Sequence, residues 1–228
     1  MVKKNLIMCF SSLRPLQFTY DELILREKNY DLALDWLFKS VPENWEIIYN
    51  DNTLVSIDDL VFQPLKEKLS RVNKLILHND NHGEYNKGSG EHDMCKKCFS
   101  KVEAIDYEWV IYFTARHIIP NSGIFDSLIS KYQEFDCVVS NPDFYYLSNF
   151  LKVQSASELY NDMLFAMKST AFTRFIDFVD IELLKREHKG SEQHLFDFIK
   201  LNSDLKTIEI PQLGILRYDH QSYGWHLV

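Results

Sequence analysis

Glycine and proline are scarce, 7 and 6 in 228 residues, which excludes long flexible linkers, collagen-like repeats and low-complexity tracts. Cysteine is sparser still. Its four positions, Cys9, Cys95, Cys98 and Cys137, fall in apolar, core-like segments without the pattern of a secreted disulfide framework, so a reducing compartment, the cytoplasm, is the expected setting. No apolar run approaches the roughly 20 residues of a transmembrane helix. The stretch from Asn5 to Phe10 turns polar at Ser11-Ser12 too soon to act as a secretory signal. Positive charge is in deficit, because 25 bases against 33 acids leave a net charge of −8. That balance opposes nucleic acid as a partner through its phosphate backbone, while a local basic pocket remains possible for a compact phosphate.

What is present is an ordinary globular composition, 46% hydrophobic and 25% charged, in a length that suits a single α/β domain over residues 1–228. Asn5 to Phe10 reads as a buried first strand, closed by the turn chemistry of Ser11-Ser12-Leu13-Arg14-Pro15. Leu34, Leu37, Phe38 and Val41 form a helical stripe ending at Pro42, and Trp45 to Tyr49 is a second strand. A helix over Leu60 to Val72, a strand Lys74 to His78, and a helix striped by Cys95, Cys98, Phe99 and Val102 follow. Then come strand Trp109 to Phe113, a helix striped by Phe125, Leu128, Ile129 and Tyr132, and strand Cys137 to Ser140. Strands that are apolar throughout and alternate with helices imply a mostly parallel central sheet covered on both faces. Past Pro142 the alternation breaks into an aromatic segment, a short strand at Met163 to Met167, two striped helices near Phe172 and Leu195, and one or two strands within 205–217. The expected plan is a Rossmann-like nucleotide-binding half, 1–118, and an acceptor-side half, 119–228.

In a parallel sheet the loops after the strands meet at one crevice. Ser11 to Arg14, Asn50 to Asn52, Asn79 to Gly90 and Thr114 to His117 should converge there, bringing Arg14, Lys87, Arg116 and several Asn and Gly residues to an anionic ligand. The same Asn, Asp and Gly residues also suit plain turns. In Asn86-Lys87-Gly88-Ser89-Gly90-Glu91 two glycines precede a helix whose first N–H groups could meet a phosphate, or Ser89 simply caps it. The Walker and dinucleotide fingerprints are both absent. Cys95-Lys-Lys-Cys98 with His92 lacks a second ligand pair and lies on an apolar stripe, so buried thiols are expected there and no metal site. Phe144, Tyr145 and Tyr146, with Asn141 and Asp143, are either core or a sugar-stacking platform.

The order of elements, the strand followed by Ser-Ser-Leu-Arg-Pro, the Asn-rich loop with Asn86-Lys87-Gly88 before a helix, and the Trp109 to Phe113 strand with its polar turn resemble nucleotide-sugar glycosyltransferases of the GT-A fold. The resemblance spans most of the chain. It implies transfer of a sugar from a nucleotide-diphosphate co-substrate to a saccharide or lipid-linked hydroxyl acceptor, in surface polysaccharide or lipopolysaccharide synthesis. In that family the fourth strand ends in Asp-x-Asp, which holds a divalent metal; here the turn is Thr114-Ala115-Arg116, so Arg116 is the expected substitute and metal is not expected to be required. Arg116 also suits a surface ion pair. By the same resemblance Ser11, Arg14, Asp51, Asn86 and Gly88 contact the nucleotide, and Lys87 and Arg116 neutralise the diphosphate. Glu192 in Ser191-Glu192-Gln193 matches the position of the catalytic base, with Asp162 as second candidate, although Ser191 and Glu192 equally suit a helix cap. His220 and His226 match carboxyl-terminal histidines of similar transferases or lie on a flexible tail. Two other activities fit the scaffold: nucleotidyl transfer to a sugar phosphate, against which the glycine-free first loop counts, and non-catalytic carbohydrate binding.

Overall fold

The apolar runs become strands because each can bury both its faces. The computed structural model describes residues 3–79, 87–103, 106–121, 123–140, 159–160, 162–210, 214–219 and 224–227, of which 87, 217–219 and 224–227 are described by backbone alone. A seven-stranded sheet has the order β3-β2-β1-β4-β6-β5-β7, formed by β1 (Lys4–Ser11), β2 (Glu46–Asp51), β3 (Lys74–Leu77), β4 (Tyr107–Thr114), β5 (Cys137–Ser140), β6 (Leu164–Lys168) and β7 (Thr207–Ile210). In β1, Ile7 and Cys9 enter the core on one side, while Leu6, Met8 and Phe10 enter the core on the other. In β4, Trp109, Ile111 and Phe113 oppose Val110 and Tyr112 in the same way.

Helices α1 (Tyr20–Ser40), α2 (Gln63–Leu69) and α4 (Ile124–Lys131) cover the first face through Leu34, Leu65 and Phe125. On the second lie α3 (Lys87–Phe99), α5 (Ser169–Phe178), α6 (Ile181–Glu187) and α7 (Ser191–Leu201), contributing Cys95, Phe172, Leu184 and Leu195. Truncating one such leucine, Leu34 for example, to alanine would cost about 2–5 kcal/mol. Helix α1 begins well upstream of its apolar stripe, at a capping box in which Thr19 accepts from the Glu22 N–H and Glu22 bonds back to the Thr19 N–H.

The structure corrects two local expectations and adds two features that the sequence left open. The helix expected over Leu60 to Val72 divides into a 3₁₀ turn, Ile57–Asp59, and a short α2 that starts with Pro64 in its first turn. Gly88 and Gly90 lie inside the first turn of α3 rather than before it. Strand β6 runs antiparallel to both β4 and β5 within the otherwise parallel sheet. The chain end is not a loose tail: β8 (Leu216–Asp219) and β9 (Gly224–Leu227) pair as an antiparallel hairpin. Leu216 and Ile118 exchange backbone bonds of 2.8 and 2.9 Å, which ties that hairpin beside the turn after β4.

Candidate functional site

Strand order reverses between β1 and β4, because β2 lies on one side of β1 and β4 on the other. Crossovers then leave in opposite directions and open a crevice at the carboxyl ends of the strands. A cavity of about 420 Å³ occupies that place, walled by the loops after β1 and β2, by α1, by the first turns of α3 and by the end of β4. Ser11 and Arg116, both expected at the crevice, line it, as does Gly90. Asn86 and the aromatic segment Asn141 to Tyr146 lie outside the described residues, as do the side chains of Lys87 and His226 and all of His220.

Asp51 and Arg14 are near the cavity but are engaged in building its walls. Asp51 has 0% exposure; its Oδ2 accepts from Ser11 Oγ (2.6 Å) and the Leu13 N–H (2.7 Å). Its Oδ1 accepts from the Thr53 N–H (2.8 Å), Thr53 Oγ1 (2.7 Å) and the Leu54 N–H (2.9 Å). One buried carboxylate thereby fixes the loops after β1 and β2 against each other, with both oxygens filled. Burial raises its pKa, and the bonds from Ser11, Thr53 and Leu13 hold that rise back. Arg14 donates through Nη1 to the Asp59 carbonyl and lies 3.9 Å from Glu27, a fully buried acid that also accepts from the Val61 and Phe62 N–H groups (3.0 and 2.8 Å). The guanidinium thus closes α1 against the 3₁₀ turn.

A cation that sequence reasoning missed takes the place expected of Arg14. Arg26, on α1 and only 7% exposed, lines the cavity with its Nε bonded to the Ser12 carbonyl (2.6 Å). Its guanidinium carbon lies 5.2 Å from the ring centre of Phe18 and 5.4 Å from that of Tyr30. Among the described residues neither Arg26 nor Arg116 meets a carboxylate, and Arg116 Nε is buried without a hydrogen-bond partner. Burying a guanidinium away from water costs several kcal/mol, of which aromatic faces return about 0.5–2. The buried Arg26 and the half-buried Arg116 on one cavity favour an anionic occupant. The spacing of Arg26 to Tyr30, one helical turn, was the available signal, but it marks a ligand-facing pair only once α1 is laid across the β1 loop.

Near the end of β4 the structure also gathers carboxylates. Because β6 is antiparallel, its first residues reach the carboxyl edge of β4: the Thr114 N–H donates to the Met163 carbonyl (2.9 Å), placing Asp162 beside the cavity. Ser191, at the start of α7, bonds through Oγ to Asp162 and to Glu91 (2.6 Å), and lies 3.4 Å from Glu192. The two candidate acids, Glu192 and Asp162, are therefore brought together, joined by Glu91 from α3, which lines the cavity and was not anticipated. Gly88 serves this junction. A Cβ there would lie 2.7 Å from both Lys189 O and Ser191 N, so only glycine lets the starts of α3 and α7 touch. Behind the junction His92 and His194 are buried with ring centres 4.9 Å apart. Burial and then His194 drive the pKa of His92 down to about 3, and burial takes His194 to about 4.

The turn after β4 offers a hydroxyl, a methyl and a guanidinium at Thr114, Ala115 and Arg116, a set that does not fit a divalent cation. Among the described residues no three His, Cys, Asp or Glu side chains are grouped as metal ligands. All four cysteines are buried and unpaired, and no described helix is long and apolar enough to cross a membrane.

No family model matches the chain, and no curated protein does. Solved structures do resemble it. A mannosyltransferase from Pyrobaculum calidifontis in complex with GDP-Man and Mn²⁺ superposes with a TM-score of 0.58 at 12% identity, over 97% of this chain and 59% of that one. The chain thus spans about three fifths of the mannosyltransferase. The 4-diphosphocytidyl-2C-methyl-D-erythritol synthase of Anaerococcus prevotii gives 0.53 at 11%, over 92% of this chain and 89% of that one. Mouse xyloside xylosyltransferase 1 gives 0.50 at 9%, over 92% and 85%. At such identities the likeness concerns fold alone, and the fold is GT-A-like.

Proposed function

We propose that this protein is a cytoplasmic glycosyltransferase that moves a sugar from a nucleoside-diphosphate donor to a hydroxyl of a saccharide or lipid-linked acceptor, in the making of a surface polysaccharide. The observation that carries the reading is the cavity at the strand-order reversal, lined by two arginines that meet no carboxylate among the described residues and by Glu91 of an acidic junction. In this reading residues 1–118 hold the nucleotide and 119–228 shape the acceptor side. Arg26 and Arg116 take the diphosphate, supplying the positive charge that a leaving diphosphate needs in place of a metal. Ser11 and Asn52 border the nucleotide, and Asn86 and Lys87 are read as further ligand contacts from the sequence alone. Asp51 acts by holding the loops. Glu192 and Asp162 are the candidate bases for the acceptor hydroxyl.

The test is a thermal-shift panel of nucleoside diphosphates with and without Mn²⁺. A diphosphate at 100 times its Kd stabilises by about 2.7 kcal/mol, which in a chain of this size raises Tm by about 5–10 °C. A rise that does not need Mn²⁺ is expected. No response to any nucleotide, with or without metal, would remove the reading. Release of pyrophosphate from a nucleoside triphosphate and a sugar phosphate would instead establish nucleotidyl transfer.

A further inference from the structure

The hydroxyl of Ser191 stands where there are more oxygens than protons. Its Oγ is 2.6 Å from Glu91 Oε2, in hydrogen-bond contact with Asp162 Oδ2, and 3.4 Å from Glu192 Oε2. A serine hydroxyl brings one hydrogen and can donate it to one of the two close carboxyl oxygens. The other contact is a hydrogen bond only when that carboxyl carries a proton and donates it to Oγ. Two ionised carboxylates meeting at one oxygen would repel each other, the situation in which a carboxyl pair retains a proton. The backbone enforces this meeting. The starts of α3 and α7 are in contact at Gly88 and Ser191, with no room for a Cβ, so Glu91 and Ser191 cannot drift apart without separating two helices. Both helix starts favour one negative charge in the space between them.

We infer that Glu91 and Asp162 form a dyad that shares one proton through Ser191 Oγ and carries a single negative charge. Ser191 is its positioning residue. Asp162 is 6% exposed, whereas Glu91 lines the cavity, so the dyad connects the buried floor to the ligand. Among the described residues the titratable groups around it include the Tyr112 hydroxyl from β4, His92 from α3, Glu192 from α7, and Lys189 ahead of α7, whose Nζ is bound to Glu187 and Asp197. The pKa of Tyr112 is raised by burial and then by Glu91 and Asp162, which keeps its hydroxyl protonated beside the pair.

The catalytic use of the dyad rests on the transferase reading. The ionised oxygen accepts the acceptor's O–H proton as the acceptor oxygen bonds to the anomeric carbon. The bond from that carbon to the β-phosphate oxygen breaks, and its electron pair leaves with the nucleoside diphosphate. The dyad is then neutral and returns one proton to solvent.

The dyad is testable in the ligand-free protein, so its failure is separable from failure of the transferase reading. Infrared difference spectra at pH 7 should contain a protonated-carboxyl C=O band that is lost in Glu91→Gln and in Asp162→Asn. In Ser191→Ala its titration midpoint should fall by a pH unit or more. Absence of the band from the wild type, or its persistence in both carboxyl variants, overturns the dyad even if nucleotides bind. With the band present and no nucleotide bound, the dyad stands and the transferase reading falls. With turnover, Glu91→Gln should lower kcat about 10–100-fold and displace the acid limb of the pH profile. An unchanged profile would remove Glu91 from the reaction.

Discussion

Replacing Gly88 by alanine separates two effects of opposite sign. Within a helix, Gly→Ala ordinarily stabilises by up to about 1 kcal/mol, because alanine has less backbone freedom to lose. At Gly88 the new Cβ would meet Lys189 O and Ser191 N at 2.7 Å and the Gly190 carbonyl carbon at 2.9 Å. All three are backbone atoms, so no side chain can swing aside, and α3 must move from α7 by several tenths of an ångström. Overpacking of this kind costs about 1–3 kcal/mol. The steric cost should win, leaving a net loss of about 1–2 kcal/mol and a fall in Tm of about 2–8 °C. The same movement lengthens the 2.6 Å contact between Ser191 and Glu91. Thermal or urea denaturation reads the first effect and the infrared carboxyl band reads the second. A stabilised Gly88→Ala protein with its carboxyl band intact would show that α3 and α7 are not in contact as described, and the reasoning about the acidic junction would fall with it.

Arg116→Ala and Arg26→Gln should each weaken nucleoside-diphosphate binding by about 10-fold or more, the range of a lost charge-assisted hydrogen bond; calorimetric titration would check this, and unchanged affinity in both would contradict a diphosphate between them. Glu192→Gln should reduce turnover much more than nucleotide affinity, and steady-state kinetics beside equilibrium binding will tell whether Glu192 or the Glu91–Asp162 pair takes the acceptor proton. His92 and His194 have folded pKa values of about 3 and about 4, below the unfolded value of about 6.5. The folded state therefore binds fewer protons, stability is full above pH 6.5, and it declines as pH falls from there towards 4, by on the order of 2–3 kcal/mol for each histidine. Urea midpoints across that window should be flatter in His194→Phe. Asp51→Ala leaves five donors from two loops without their acceptor and should cost about 3–5 kcal/mol, measured by denaturation.

Continuous apolar runs were enough to locate β1, β2, β4 and β5, because strands buried on both faces need no polar alternation. The turn residues after them located the crevice for the same physical reason, since parallel strands release their loops on one edge. Helical stripes at Leu34, Phe125, Phe172 and Leu195 were equally legible. What the local pattern could not carry was direction and partnership. Nothing in Leu164–Lys168 distinguishes a parallel strand from an antiparallel one, yet only the antiparallel course brings Asp162 to the cavity. Arg14 and Arg26 differ little as residues. Contact with Glu27 and the Asp59 carbonyl, some 13 and 45 positions along the chain, engages one in structure, while the other lines the cavity against the aromatic faces of Phe18 and Tyr30. Gly88 reads in the sequence as a phosphate-loop glycine, and in the fold its missing side chain is what lets α3 meet α7. Composition and periodicity thus determine which segments are buried and where chain turns gather, because those depend on each residue's own chemistry. Which charges are engaged in the scaffold and which line the cavity depends on residues far apart in the chain, and only the tertiary structure decides that.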